Sequence, residues 1–262
     1  YKNSSNLGFL IGKYFGPLFR SKSLIKDNLI QANISDKNNF DLIATNVLGN
    51  YGRIFSEYVF LKDFRNEKLA NYISINGQKY LDDIIKKQKK VVFISGHFNN
   101  FELMAMQLEK YGVNLTAIYR PLNNIFLNKT MEKIRTHFIC RKQIKKGRSG
   151  SRELVKNFKE GSSIALMIDQ RVREGISVPF FQKSCSTTTI PAQLVKKYEC
   201  EIVPIYIERK KNHFFEMTVS QPLVFNKSLS IDDISIELNK ILEKMILKNL
   251  DQWIWTHNRW QK

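Results

Sequence analysis

Three features of the sequence predict an α/β fold, a single domain with a largely parallel central sheet flanked by helices. Short apolar runs at Val91–Ser95, Leu115–Tyr119, Ile164–Ile168 and Ile202–Ile207 alternate with stretches of helical periodicity, the pattern of strands laid side by side through helical crossovers. The chain has 262 residues, 43% of them hydrophobic and 18 of them Phe, enough to fill one substantial core. The third feature is the stretch Leu7–Arg20, which is apolar but interrupted by Lys13 and followed by Lys22 and Lys26. It is shorter than the roughly 18 to 20 residues that span a bilayer. It reads either as a helix lying in a membrane interface or as a helix packed on the domain. Residues 1–26 are therefore assigned to an N-terminal, helical, membrane-proximal segment and residues 27–262 to the domain proper.

Within the domain, residues 28–63 read as helical, because Ile30, Ile34, Leu42, Ile43, Val47, Leu48, Tyr51, Ile54, Phe55, Tyr58 and Val59 return mostly at three- and four-residue steps. A loop near 64–76 leads to a short amphipathic helix at 78–89, which feeds the strand at 91–95. A helix at 99–111, a strand at 115–119, helices near 124–138 and 150–159 and a strand at 164–168 follow. A helix near 188–198, strands at 202–207 and 214–219 and a last helix near 231–249 complete the domain. In such sheets the chemistry collects at the carboxyl ends of the strands. Three of those ends are polar: His97 follows the first strand, Arg120-Pro121 the second and Asp169-Gln170-Arg171 the third. Solubility alone also puts polar residues after strands.

The net charge of +18 calls for an anionic partner, whether nucleic acid, anionic lipid or an acidic protein. Local clusters lie at Lys86–Lys90, at Arg141–Arg148 and at Arg209–Lys211, and each alone is also what a solvated face looks like. No standard nucleic-acid motif is present, so no nucleic acid is expected as a partner. Cys140, Cys185 and Cys200 make an odd number without framework spacing, which suits reduced thiols. His137 and Cys140 lack a second pair to complete four ligands, so neither a metal nor a cofactor is expected. Gly147-Arg148-Ser149-Gly150 has neither the spacing of a nucleotide loop nor a strand before it in this reading. A Gly-x-Ser-x-Gly nucleophile elbow is absent as well, which leaves direct transfer simpler than covalent catalysis.

Gly96-His97-Phe98-Asn99-Asn100-Phe101-Glu102 sets an imidazole and a carboxylate five positions apart behind a strand. That is the equipment for taking a proton from a hydroxyl, and it is equally a turn histidine capping a helix. Taken with Tyr119-Arg120-Pro121-Leu122-Asn123-Asn124, Asp169-Gln170-Arg171 and the closing segment Gln252–Trp260, this block resembles the lipid A biosynthesis acyltransferases of lauroyl and myristoyl type, within the wider glycerolipid and lysophospholipid acyltransferase fold. The blocks keep order and spacing from about residue 20 to the end.

The resemblance implies an acyltransferase that moves a fatty acyl chain from acyl carrier protein to a hydroxyl of a lipid A precursor glycolipid, at the cytoplasmic face of the cell inner membrane. A lysophospholipid or another glycolipid is the alternative acceptor, and a non-catalytic basic nucleic-acid-binding protein the alternative of another class. It implies His97 as base and Glu102 as the acid that orients it, with Arg135 and Asp169 in the essential set. Arg120, Asn99, Asn100, Gln170 and Arg171 are expected to contact substrate. Family members typically carry an N-terminal membrane helix, which a start at Tyr1 would leave out or truncate, and an anionic membrane surface is the expected partner.

Overall fold

A computed structural model of the protein describes residues 1–122 and 124–260, so that Asn123 of the Tyr-Arg-Pro block lies outside the described residues, as do Gln261 and Lys262. Among the described residues seven strands form the main sheet: β1 (Ile73–Asn76), β2 (Val92–Ser95), β3 (Leu115–Tyr119), β4 (Lys142–Lys145), β5 (Ser163–Met167), β8 (Ile202–Arg209) and β9 (Phe215–Val219). Between β5 and β8, β6 (Ile176–Phe180) and β7 (Lys183–Thr187) make a separate antiparallel hairpin. The spatial order β1-β9-β8-β2-β5-β3-β4 leaves β8, β2, β5, β3 and β4 parallel, while β9 and β1 run the other way at one edge. The predicted α/β class and mostly parallel sheet are therefore present.

Among the described residues ten α-helices cover the sheet or extend from it: α1 (Lys2–Phe19), α2 (Lys22–Gln31), α3 (Phe40–Glu57), α4 (Leu61–Arg65), α5 (Gln78–Lys86), α6 (Glu102–Lys110), α7 (Ile125–Ile134), α8 (Arg148–Lys159), α9 (Ile190–Tyr198) and α10 (Ile231–Lys248). All four residues of β2 are buried, which is why it reads as an unbroken apolar run rather than an alternation. The long helix at 28–63 is in fact α2, α3 and α4 with short turns between them. Asn33 at φ 55 is the break after α2, a backbone state that Asn tolerates better than most residues. The loop near 64–76 contains β1, and β4 precedes the Gly147 turn where no strand was expected. Both are four-residue edge strands with mixed exposure, too short for periodicity to declare them.

α1 packs along α3 through glycine. A Cβ on Gly8, Gly12 or Gly52 would meet main-chain atoms of the opposite helix, and one on Gly49 would meet the Phe9 ring, so the two backbones touch as in small-residue helix pairs. The opposite face of α1 leaves Leu10, Tyr14, Phe15, Leu18 and Phe19 exposed, Phe19 at 81%. Among the described residues no helix is long and apolar enough to cross a membrane. Gly12→Val is expected to destabilise the protein by about 1–3 kcal/mol through overpacking. Thermal unfolding reads this directly, and an unchanged midpoint would mean that α1 is not seated on α3 in this way.

Candidate active site

Strand register builds the centre of the site. β2 pairs with β5 so that Ser95 faces Met167, and the ladder continues with Ile168 N–H donating to the Ser95 carbonyl at 2.9 Å. Two residues beyond Ser95 and Met167 stand His97 and Asp169, side by side at the carboxyl ends. Asp169, with no exposed surface, accepts three hydrogen bonds. His97 Nδ1–H donates to Oδ1 at 2.8 Å, the His97 main-chain N–H to Oδ2 at 2.8 Å, and the Trp253 indole N–H to Oδ2 at 3.0 Å. A carboxylate that receives these donors has no proton to give, so Nδ1 carries the hydrogen and Nε2 of the neutral ring is left with its lone pair.

The electrostatics follow from this packing. Burial opposes the imidazolium, but the charge and hydrogen bond of Asp169 outweigh it and hold His97 above the ordinary histidine value. Burial alone would raise Asp169; the charge and hydrogen bonds of His97, with the Trp253 N–H, pull it below the usual carboxylate range instead. The His97 ring also sets its edge against Phe101, with centroids 4.7 Å apart.

The acid hydrogen-bonded to the His97 ring is Asp169 rather than Glu102, the acid that the resemblance implied. The chain turns tightly between His97 and Glu102, with Asn99 at φ 41, and Glu102 opens α6 with its side chain directed to other partners. Arg135 donates to Glu102 Oε1 through Nε at 2.9 Å and Nη2 at 2.6 Å, and the Tyr58 hydroxyl donates to the same oxygen. Arg135 begins a π-helical turn, Arg135–Ile139, at the end of α7, a distortion frequent at functional sites. Removing the carboxylate strands a largely buried guanidinium, so Glu102→Ala is expected to cost about 3 kcal/mol of stability in chemical denaturation. It is also expected to move the His97 titration, followed by NMR, less than Asp169→Asn does. An equal or larger shift would restore Glu102 as the orienting acid.

His97, Glu102, Arg135, Arg120 and Gln170 all line one cavity of about 630 Å³. Phe101, Ala105, Ile118, Leu166, Ile190 and Ile254 give it apolar wall, and Arg20, Lys146 and His257 add polar groups. Arg171 is fixed through its main-chain N–H, which donates to His257 Nε2 at 3.0 Å. Burial, the largest influence on His257, holds it below the ordinary histidine value, in keeping with an unprotonated acceptor nitrogen.

Asn99 and Asn100, expected at the substrate, are buried, and neither is among the described residues that line this cavity. Asn100 donates to Glu57 at 3.0 Å, Arg209 donates to Asn99 and Glu57 at 2.9 and 2.8 Å, and Asn99 donates to Gln252 at 3.0 Å. Glu57 is fully buried, and a buried carboxylate requires partners of this kind. Sequence reasoning missed Tyr58 and Trp253 as parts of the site. Tyr58 shares its spacing with ordinary core positions, and Trp253 meets Asp169 from 84 residues away, so no local signal marks either contact.

An α/β fold with a histidine–aspartate pair at the carboxyl ends of adjacent parallel strands, opening on a partly apolar cavity, defines the class of the site. The family model for bacterial lipid A biosynthesis acyltransferases matches residues 1–262, and the chain belongs to that family. It is similar to the lipid A biosynthesis lauroyltransferase of Escherichia coli strain K12, 23% identical over 206 residues, covering 75% of this chain and 64% of that protein. A lipid A biosynthesis acyltransferase of Haemophilus influenzae is 21% identical over 234 residues, covering 86% and 72%. The palmitoleoyltransferase of Escherichia coli is 24% identical over 200 residues, covering 75% and 64%. The chain thus spans less than two-thirds of the length of both Escherichia coli relatives.

Proposed function

We propose that the protein transfers a fatty acyl group from an acyl carrier protein thioester to a hydroxyl of a lipid A precursor, with His97 as general base. One observation carries this reading: Nδ1 of His97 is tied to a buried carboxylate, while the ring lines a cavity with both apolar wall and cationic groups. In the reaction, Nε2 takes the proton of the acceptor hydroxyl as its oxygen bonds to the thioester carbonyl carbon. The negative charge then rests on the carbonyl oxygen. Arg135, held in place by Glu102 and Tyr58 and lining the same cavity, supplies a fixed positive charge for it. Collapse breaks the carbon–sulfur bond, and the leaving thiolate recovers the proton from the imidazolium. The products are an ester and the free thiol of the carrier.

The apolar wall takes the acyl chain, each buried methylene contributing about 0.8 kcal/mol. We place the reaction at the cytoplasmic face of the inner membrane, with α1 against an anionic lipid surface. Leu10, Tyr14, Phe15, Leu18 and Phe19 are exposed on that helix, Lys13 lies among them and Arg20 follows, and residues 1–26 contain no carboxylate side chain. Mass spectrometry of the products formed from a panel of acyl carrier thioesters with lipid A precursors, lysophospholipids and other glycolipids tests the reading. An acylated lipid A precursor is the expected product; acylation of lysophospholipid alone would replace the acceptor, and no acylated lipid from any pair would end the proposal.

A further inference from the structure

The cavity carries more positive charge than the chemistry at His97 uses. Glu102 is the one carboxylate among its described lining residues, and it is bonded to Arg135. Arg120 and Lys146 line the same cavity, and no carboxylate among the described residues forms an ion pair with either. Their closeness is set by the sheet: β3 and β4 are parallel neighbours with Tyr119 opposite Lys145, and the Lys146 N–H donates to the Tyr119 carbonyl at 2.8 Å. The next residue of one strand therefore stands beside the next residue of the other. Partial burial and the charge of Arg120 together hold the Lys146 ammonium below its ordinary value, as expected of two cations kept together without an anion.

The segment that follows is shaped for close approach. Gly147 has φ 148 and ψ 178, a backbone state essentially confined to glycine, and a Cβ on it would meet nothing within 4 Å. A Cβ on Gly150 would strike the Lys145 carbonyl, so α8 starts hard against the end of β4. Gly147, Gly150 and Ser151 all line the cavity, the first turn of α8 has no acidic residue, and its cap has no side-chain hydrogen bond. The first N–H groups of a helix have no acceptor within it. The two cations define the site, and the helix start adds donors to it.

We propose that Arg120 and Lys146, with the Gly147–Ser151 turn, form a phosphate-binding site at the mouth of the cavity, which holds a phosphate group of one of the two substrates while His97 acts on the hydroxyl. This rests on reading the cavity as an acyl-transfer site, and it separates the two arginines: Arg135 is held in place by Glu102 and serves the reacting carbonyl, whereas Arg120 serves the phosphate. A phosphate can come from a phosphorylated glycolipid acceptor or from the phosphopantetheine arm of the donor. Both present oxygens that a guanidinium, an ammonium and main-chain N–H groups bind.

The test measures binding rather than turnover, by calorimetry in detergent. One arm compares a diacylated glucosamine 1-phosphate with the same lipid lacking the phosphate; the other compares an S-acyl pantetheine 4′-phosphate with S-acyl pantetheine. The wild-type protein is expected to prefer the phosphorylated member about 10- to 100-fold in one arm, the range of charge-assisted hydrogen bonds, and that arm names the source. Arg120→Gln with Lys146→Gln is expected to abolish the preference while leaving binding of the unphosphorylated member and the thermal unfolding midpoint unchanged. Equal affinity for both members in both arms, or a preference that survives in the double variant, would overturn the site. A failure of the acyl-transfer reading would instead appear as absence of ester product with this preference intact.

Discussion

His97→Ala is expected to lower the rate of acyl transfer about 10²- to 10⁴-fold, the contribution of a positioned base, while the protein still folds and binds anionic vesicles. The imidazole is the nitrogen base that the sheet delivers to the cavity with one ring nitrogen already committed. No large cavity is opened in the core, because His97 is partly exposed and lines a space that already exists. Circular dichroism and vesicle sedimentation on the same preparation separate loss of chemistry from loss of fold. Turnover within a factor of about three of wild type would remove His97 from the mechanism.

Asp169→Asn is expected to have an effect of comparable size, with a signature of its own. Oδ1 and Oδ2 of Asp169 receive three donors, and an amide offers one acceptor oxygen and an NH2 in place of the second, so one donor is left facing another donor. The sign of the pH effect is set by the form of the base that works. In the proposed reaction His97 acts deprotonated, so activity is expected to rise with pH through its pKa. In the wild type Asp169 holds that pKa above the ordinary value of about 6.5, and the acid limb of kcat/KM lies above it too. Without the anion, burial is the larger remaining influence and the limb moves to lower pH, even as the maximal rate falls. The same coupling bears on stability: the part of it due to the raised His97 pKa is fully present below about pH 6.5 and is lost as pH rises through the folded value. A limb that stays in place in Asp169→Asn would show that the carboxylate does not set the base.

The sequence made the class of fold plain because β2, β3, β5 and β8 are central and buried, and buried parallel strands are written as unbroken apolar runs. β1 and β4 left no such mark, being edge strands of four residues, and the hairpin β6–β7 lies in a stretch where Pro179 and the serines around it dilute the apolar pattern. At the site, His97, Arg120, Arg135, Asp169 and Gln170 were legible as polar residues at strand ends or through family blocks, and the structure brings His97, Arg120, Arg135 and Gln170 to one cavity, with Asp169 beneath His97. What spacing could not reveal was pairing. The five-residue interval from His97 to Glu102 points to a contact along the chain, whereas the actual contact runs across the sheet, 72 residues away, and exists only because β5 was inserted next to β2. The partners of Asn99 and Asn100 were hidden for the same reason: Glu57, Arg209 and Gln252 come from three distant segments.

A pair formed across neighbouring strands is metered by main chain. The spacing between parallel strands is fixed near 4.8 Å by their hydrogen bonds, whatever side chains surround them, so the separation of His97 and Asp169 is inherited from the ladder that ends at Ser95 and Ile168. A dyad spaced along a helix would detune whenever that helix tilted; this one is set by the pairing of β2 with β5. The stretch of cavity wall that α6 supplies through Ala105 can therefore change shape without altering the spacing of the imidazole and its carboxylate.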